Sequence, residues 1–160
     1  MAIAVGEKIP SVKVTVMSDK GPSPVSTNEL LGSGKVVLFS VPGAFTPTCS
    51  KAHLPGFVAL ADQILAKGVA SIVCMSVNDV FVMDAWGKSQ NVENYITMMA
   101  DGNGDFSRAL GLEMDGTGFG MGKRSQRFAM IIDDGTVTGV YVESGPKLDV
   151  SSAESILAAL

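Results

Sequence analysis

The sequence predicts an α/β fold in which a mixed central sheet is flanked by helices on both faces. Three observations carry this. Two continuous apolar runs, 36–41 (VVLFSV) and 70–76 (ASIVCMS), read as fully buried strands. A helical segment follows each of them. A hairpin signal, Asp134-Gly135 between the apolar stretches 128–132 and 137–142, marks antiparallel pairing near the end.

Taken in order, Val12, Val14 and Val16 alternate with polar residues, the period-2 pattern of a half-buried strand. Ser26 and Glu29 form a capping box ahead of Leu30 and Leu31, predicting a short helix. Strand 36–41 comes next. A helix is predicted from near Pro47 to about Ala66, with Phe57, Leu60, Ile64 and Leu65 as its apolar stripe. Pro55 lies inside it and is expected to kink or interrupt it. After strand 70–76, Asn78 or Asp79 caps a helix over 80–88. Residues 96–100 read as a third short strand, and 105–110 as a helix stopped by Gly111. The hairpin follows. Ser151 and Glu154 then make a second capping box for a C-terminal helix that docks through Ile156, Leu157 and Leu160.

Composition sets bounds on function. The chain has 160 residues, the size of one compact domain, and no repeat or linker divides it. With 46% apolar and 18% charged residues it has the makeup of a globular protein. The net charge of -4 and the lack of a basic run argue against nucleic acid as a partner. No apolar stretch approaches the roughly 20 residues that span a bilayer, and the N-terminus lacks the basic and apolar regions of a secretory signal. Two cysteines make no disulfide framework. That usage fits a reducing compartment, and a cytoplasmic location is expected.

The chemistry concentrates in 42–49 (PGAFTPTC), between a buried strand and a helix. Loops at the carboxyl ends of parallel strands are where α/β proteins place their sites. Two prolines and a glycine hold this one to a particular path. Cys49 follows Pro47, a residue suited to the first turn of a helix. There, unpaired N–H groups and the helix dipole favour thiolate over thiol, and the thiolate is the nucleophile. Thr46 stands three residues earlier, where its hydroxyl can donate to, or accept from, an oxygen held near the sulfur.

The pattern P-x-x-x-T-x-x-C resembles the active-site loop of the peroxiredoxins. The fuller string 41–57 (VPGAFTPTCSKAHLPGF) is similar to the type II, or atypical two-cysteine, subfamily of plants, algae and bacteria. Segments 76–86, 100–115 and 127–130 agree, so the resemblance spans essentially the whole chain. It implies a thioredoxin fold with an N-terminal extension and an insertion. It implies that Cys49 is the peroxidatic cysteine, that Thr46 orients the peroxide, and that Pro42 shields the sulfur. Arg127, distant in sequence, matches the family arginine beside that sulfur, where a permanent cation favours thiolate and binds peroxide oxygens. Backbone N–H groups of Gly43 and Cys49 complete the oxygen site. The resulting activity is a thiol-dependent peroxidase acting on hydrogen peroxide and alkyl hydroperoxides, with a Cys49 sulfenic acid intermediate.

Regeneration leaves alternatives open. Cys74 matches the second cysteine of plant-type members, which can resolve the sulfenic acid as an intramolecular disulfide. Cys74 also sits in a buried strand run, where a free cysteine is ordinarily core. The other route is an external thiol, from glutaredoxin with glutathione or from thioredoxin. The resemblance further implies a homodimer formed through the active-site face, no cofactor and no metal. A second class of function, a peroxide sensor or holdase-like binding protein on the same fold, shares the oxidation at Cys49 and differs in lacking turnover.

Other motifs read more simply. His53, four residues after Cys49, makes poor geometry for a protease-like dyad and reads as a local structural or dimer-edge residue. One histidine and two cysteines fall short of a structural zinc site. Residues 101–105 (DGNGD) resemble a calcium loop, but Phe106 and Leu112 stand where glycine and glutamate are required. Residues 116–123 (GTGFGMGK) fail as a phosphate loop and read as a mobile loop leading to Arg127. Phe45, Phe81, Trp86 and Phe119 read as packing residues.

Overall fold

A computed structural model describes residues 1–160. Seven strands form one mixed sheet in the order β2-β1-β5-β4-β3-β8-β9. Its centre is the parallel set β3 (Lys35–Ser40), β4 (Val69–Ser76) and β5 (Ile96–Ala100). These include the two apolar runs that the sequence marks as buried. β8 (Phe128–Asp133) and β9 (Thr136–Val142) add antiparallel on one side. β1 (Lys13–Ser18) and β2 (Gly21–Ser26) add antiparallel on the other. The turn between β8 and β9 has positive φ at both Asp134 (47°) and Gly135 (82°), the geometry that makes Asp-Gly a hairpin signal.

β2 is the strand that periodicity does not reveal. Its sequence, GPSPVS, carries two prolines that cannot donate to a ladder. They are tolerated because β2 is the sheet edge, where missing N–H groups also discourage pairing with another chain. The stretch expected to be a loop, 116–123, joins two further short strands, β6 (Glu113–Asp115) and β7 (Lys123–Ser125). They are too short for alternation to show.

Alternation along β3 and β4 divides the core between two faces. Val37, Phe39, Ile72 and Cys74 point to one face, against α2 (Leu54–Leu65), α3 (Val80–Ser89) and α5 (Ala153–Ala159). Val36, Leu38, Val73 and Met75 point to the other, against Leu31 of α1 (Thr27–Leu31) and Phe106 of α4 (Asp105–Leu110). Both faces are covered, as near-continuous apolar strands require. The thioredoxin-type arrangement of a mixed sheet between helices is therefore present.

Helical structure starts at Pro47 and runs on to Leu65. The interruption expected from Pro55 is not a break. The turn Cys49–His53 is wound as a π-helix, with the Leu54 N–H donating to the Cys49 carbonyl. Proline supplies no N–H for the ordinary bond four residues back, and the wider turn accommodates that. π-turns of this kind concentrate at functional sites.

Helix ends follow local chemistry. Ser26 caps α1, accepting from the Asn28 N–H at 3.2 Å. Asp79, not Asn78, caps α3 through the Val82 N–H at 2.9 Å. The C-terminal helix is capped one residue later than the motif suggests, by Ser152 and not Ser151. Asp101, from the calcium-like stretch, is 2% exposed and serves α4. Its carboxylate accepts from the Phe106 N–H at 3.0 Å, the Ser107 N–H at 2.9 Å and the Ser107 hydroxyl at 2.8 Å. Asp101→Ala leaves these donors unmet. We expect it to cost about 2–3 kcal/mol, measured by urea unfolding; a loss below 0.5 kcal/mol, within the range of ordinary surface substitutions, would contradict this.

Candidate active site

The site forms where β3 ends. Ser40 and Val41 are fully buried, and the chain then turns through 42–48 before the π-turn. Three side chains, those of Thr46, Asn78 and Arg124, fix the turn. The Thr46 hydroxyl donates to the Gly43 carbonyl at 2.6 Å. The Ala44 N–H donates to Asn78 Oδ1 at 3.0 Å, tying the loop to the segment after β4. Arg124 donates from Nη1 to the Pro42 carbonyl at 3.5 Å and from Nε to the Met121 carbonyl at 2.9 Å. Phe45 takes a positive φ of 63°, an unfavourable conformation for an aromatic residue that only a well-held loop sustains. A Cβ at position 43 would lie 3.0 Å from Thr46 Cγ2, so glycine lets the loop close on itself.

Cys49 opens the π-turn and is fully buried. Arg127 stands just before β8, which pairs with β3, and this adjacency brings it to the sulfur across 78 positions of sequence. Its Nη2 donates to Cys49 Sγ at 3.1 Å. Its Nη1 meets His53 Nδ1 at 2.8 Å. Since a guanidinium only donates, Nδ1 is the acceptor and carries no proton. The proton is therefore on Nε2, which donates to the Ser151 carbonyl at 2.9 Å. His53 is fully buried between Phe39 and Phe57, with ring centroids 5.1 and 5.6 Å away. Burial first, and the charge of Arg127 second, push its pKa down to about 3, against the upward pull of the Ser151 carbonyl and the Glu143 charge. It is a neutral hydrogen-bond bridge and not a dimer-edge residue.

A cleft of about 880 Å³ lies in front of this group, lined among others by Pro42, Thr46, Phe119, Met121 and Arg127. The Thr46 hydroxyl has spent its proton on Gly43, so it meets an incoming oxygen as an acceptor. The N–H groups of Gly43 and Cys49 donate to no protein acceptor. Pro42, Gly43, Thr46, Cys49 and Arg127 thus come together as the sequence suggests. Cys74 lies on β4, paired in register with Phe39 on one side and Met98 on the other, and it is fully buried. Burial, and secondarily the nearby Cys49, raise its thiol pKa well above the usual value. No cluster of metal-ligating side chains is present.

Sequence reasoning did not assign Asn78, Arg124 or Ser151 to the site, and gave His53 a local structural or dimer-edge role without its link to Arg127. The first three act through single contacts to loop backbone or to His53, which leave no motif.

A buried sulfur held by a guanidinium, at the carboxyl end of a central strand and beside a threonine acceptor, defines a thiol-chemistry protein of the thioredoxin fold class. The Redoxin family model accordingly matches residues 4–157. Peroxiredoxin-2B of Arabidopsis thaliana is 46% identical over 159 residues, covering 99% of this chain and 98% of its own. Reduced Prx3 of Vibrio vulnificus, solved in complex with hydrogen peroxide, superposes with a TM-score of 0.94 at 55% identity, with 98% of each chain covered. Peroxiredoxin 5 of Alvinella pompejana superposes with a TM-score of 0.84 at 37% identity, covering 98% of this chain and 97% of that one. The chain belongs to the type II peroxiredoxins. It is a thiol-dependent peroxidase.

The neutral His53 gives a pH signature. Its folded pKa, about 3, lies below the unfolded value of 6.5, so between those values the unfolded chain binds a proton that the folded chain refuses. Stability therefore falls as pH drops through this window. Between pH 7 and 5 the expected loss is about 2 kcal/mol, read by urea unfolding. His53→Gln should abolish most of it. An unchanged slope in that variant would contradict the assignment.

Proposed function

We propose that Cys49 thiolate attacks the distal oxygen of hydrogen peroxide or an alkyl hydroperoxide held by Thr46, Arg127 and the N–H groups of Gly43 and Cys49. The observation that carries this is the 3.1 Å contact between Arg127 Nη2 and Cys49 Sγ beside a threonine oxygen whose own proton is already committed. Thr46 accepts the O–H of the hydroperoxide and turns the distal oxygen toward sulfur. An S–O bond forms as the O–O bond breaks, and the electron pair leaves with the proximal oxygen. Arg127 and the two N–H groups face the charge as it moves from sulfur to that oxygen. The leaving oxygen takes a proton to become water or an alcohol, and Cys49 becomes a sulfenic acid. Pro42 at the cleft wall limits access of water to the sulfur.

Apolar groups along the cleft, Met114, Phe119, Met121 and Pro146, suit the organic tail of an alkyl hydroperoxide. The complex of the Vibrio vulnificus relative with hydrogen peroxide supports the smaller substrate.

For regeneration we favour an external thiol, from glutaredoxin with glutathione or from thioredoxin, over Cys74. Resolution needs a thiolate, and Cys74 is held as a thiol in the middle of the sheet. The donor thiol displaces water from the sulfenic acid to give a mixed disulfide, and a second thiol releases Cys49. Such donors are kept reduced in a compartment such as the cytoplasm, and that is the location we propose. The exposed rings of Phe45, Phe81 and Phe119 support the expected homodimer contact through the active-site side.

Steady-state consumption of hydrogen peroxide and cumene hydroperoxide by wild type and Cys74→Ala, with each donor system, tests this. Both proteins should turn over with at least one donor. Oxidised Cys74→Ala should appear by intact mass as a sulfenic acid or mixed disulfide on the way. A variant that stops after one turnover while wild type continues would make Cys74 the resolving thiol. A wild type that stops after one turnover with every donor would favour a sensor.

A further inference from the structure

Arg127 is tied directly at its backbone, and through two intermediate residues at its guanidinium, to one residue that the peroxidase chemistry does not use. Glu143 follows directly after β9 and is 7% exposed. Its backbone N–H donates to the Arg127 carbonyl at 3.0 Å. Its side chain reaches the segment before α5. There Oε2 accepts from the Asp149 N–H at 2.7 Å, the Ser151 N–H at 2.8 Å and the Ser151 hydroxyl at 2.6 Å. Ser151 is fully buried, and its carbonyl takes the His53 Nε2 proton at 2.9 Å. His53 Nδ1 then takes Arg127 Nη1 at 2.8 Å, which leaves Nη2 on the sulfur at 3.1 Å. The bonds form a closed ring that runs from the Arg127 carbonyl through Glu143, Ser151 and His53 back to the guanidinium.

We infer that Glu143 is a positioning residue for the peroxidase site, acting through Ser151 and His53 to fix the Arg127 guanidinium against Cys49 Sγ. The inference rests on the reading of Cys49 as the attacking thiolate.

Three features support it. Ser151 and His53, the two links between Glu143 and the guanidinium, are fully buried, so water cannot substitute for a broken bond between them. Each link has a defined direction. With Nε2 protonated toward Ser151, His53 can present only a lone pair to Arg127. If the Ser151 carbonyl moved away, the ring could hold its proton on Nδ1 and repel the guanidinium. Finally, Glu143 is ionised. Burial pushes its carboxyl up, but the Ser151 hydroxyl and the N–H groups of Asp149, Ser151 and Val150 outweigh that and hold it below the usual range.

The test measures the second-order rates of Cys49 alkylation by iodoacetamide and of its oxidation by hydrogen peroxide, both at pH 7. Glu143→Ala should slow each by about tenfold. Glu143→Gln, which keeps an acceptor for Ser151, should recover most of both. In a His53→Phe background, where the ring is already cut, Glu143→Ala should add nothing to either effect. A purely structural role predicts a lower melting temperature with both readouts unchanged below it, and that result overturns the inference; so do full effects that add to those of His53→Phe. If Glu143→Ala does not fold, Ser151→Ala loses only the hydroxyl bond and carries the comparison. It should shift both readouts in the same direction by less, and no shift overturns the inference. The alkylation arm does not depend on peroxide turnover, so a wild type inert to peroxide would count against the peroxidase reading alone.

Discussion

The site depends on one contact, a guanidinium against a fully buried sulfur. A thiolate removed from water loses its hydration and reverts to the neutral thiol unless a fixed donor replaces what it lost. Arg127 is that donor, and it cannot be discharged by giving up its proton. Once Cys49 is fully buried, much of the nearby structure follows from the need to keep Arg127 in place. The histidine beside it must be neutral, the turn that carries both Cys49 and His53 must be wide, and the loop in front must not drift.

The fold supplies these conditions by adjacency. β8 lies beside β3, so a residue just before the start of β8 arrives at the end of β3, where the loop to Cys49 begins. The π-turn lets Cys49 and His53, four positions apart, both engage Arg127. Asn78 and Arg124 pin the loop through its backbone, at Ala44 and Pro42. The strained φ of Phe45 is a consequence of that pinning. In the proposed reaction the donors facing the cleft are set before a peroxide arrives, so little reorganisation is needed at the moment of reaction.

Much of this was legible in the amino-acid sequence, for identifiable reasons. The central strands, the long helix and the Asp-Gly hairpin declare themselves because burial on both faces, apolar period and turn chemistry are local signals. Cys49, Thr46, Pro42 and Gly43 share one short loop and one motif. Arg127 was found through resemblance, since nothing in its immediate sequence distinguishes it from a surface arginine. β2 was missed because its prolines argue against a strand, and only its edge position makes them acceptable. Ser151 looked like a helix cap because it stands three residues before Glu154. The cap is Ser152, and Ser151 turns instead toward Glu143 and His53. The structural role read for His53 lacked its content, because that lies in two partners, Arg127 and Ser151, that no periodicity connects to it.

The central claim is that Arg127 stabilises the reacting peroxide as well as the thiolate. The direct measurement compares two rates at Cys49, for alkylation by iodoacetamide and for oxidation by hydrogen peroxide, in wild type and Arg127→Gln. Iodoacetamide samples the thiolate alone, whereas peroxide also needs donors for the leaving oxygen. The account predicts that oxidation falls by about a hundredfold, the typical effect of losing such a donor, while alkylation falls far less. Equal losses in the two rates, or no loss in either, would contradict it.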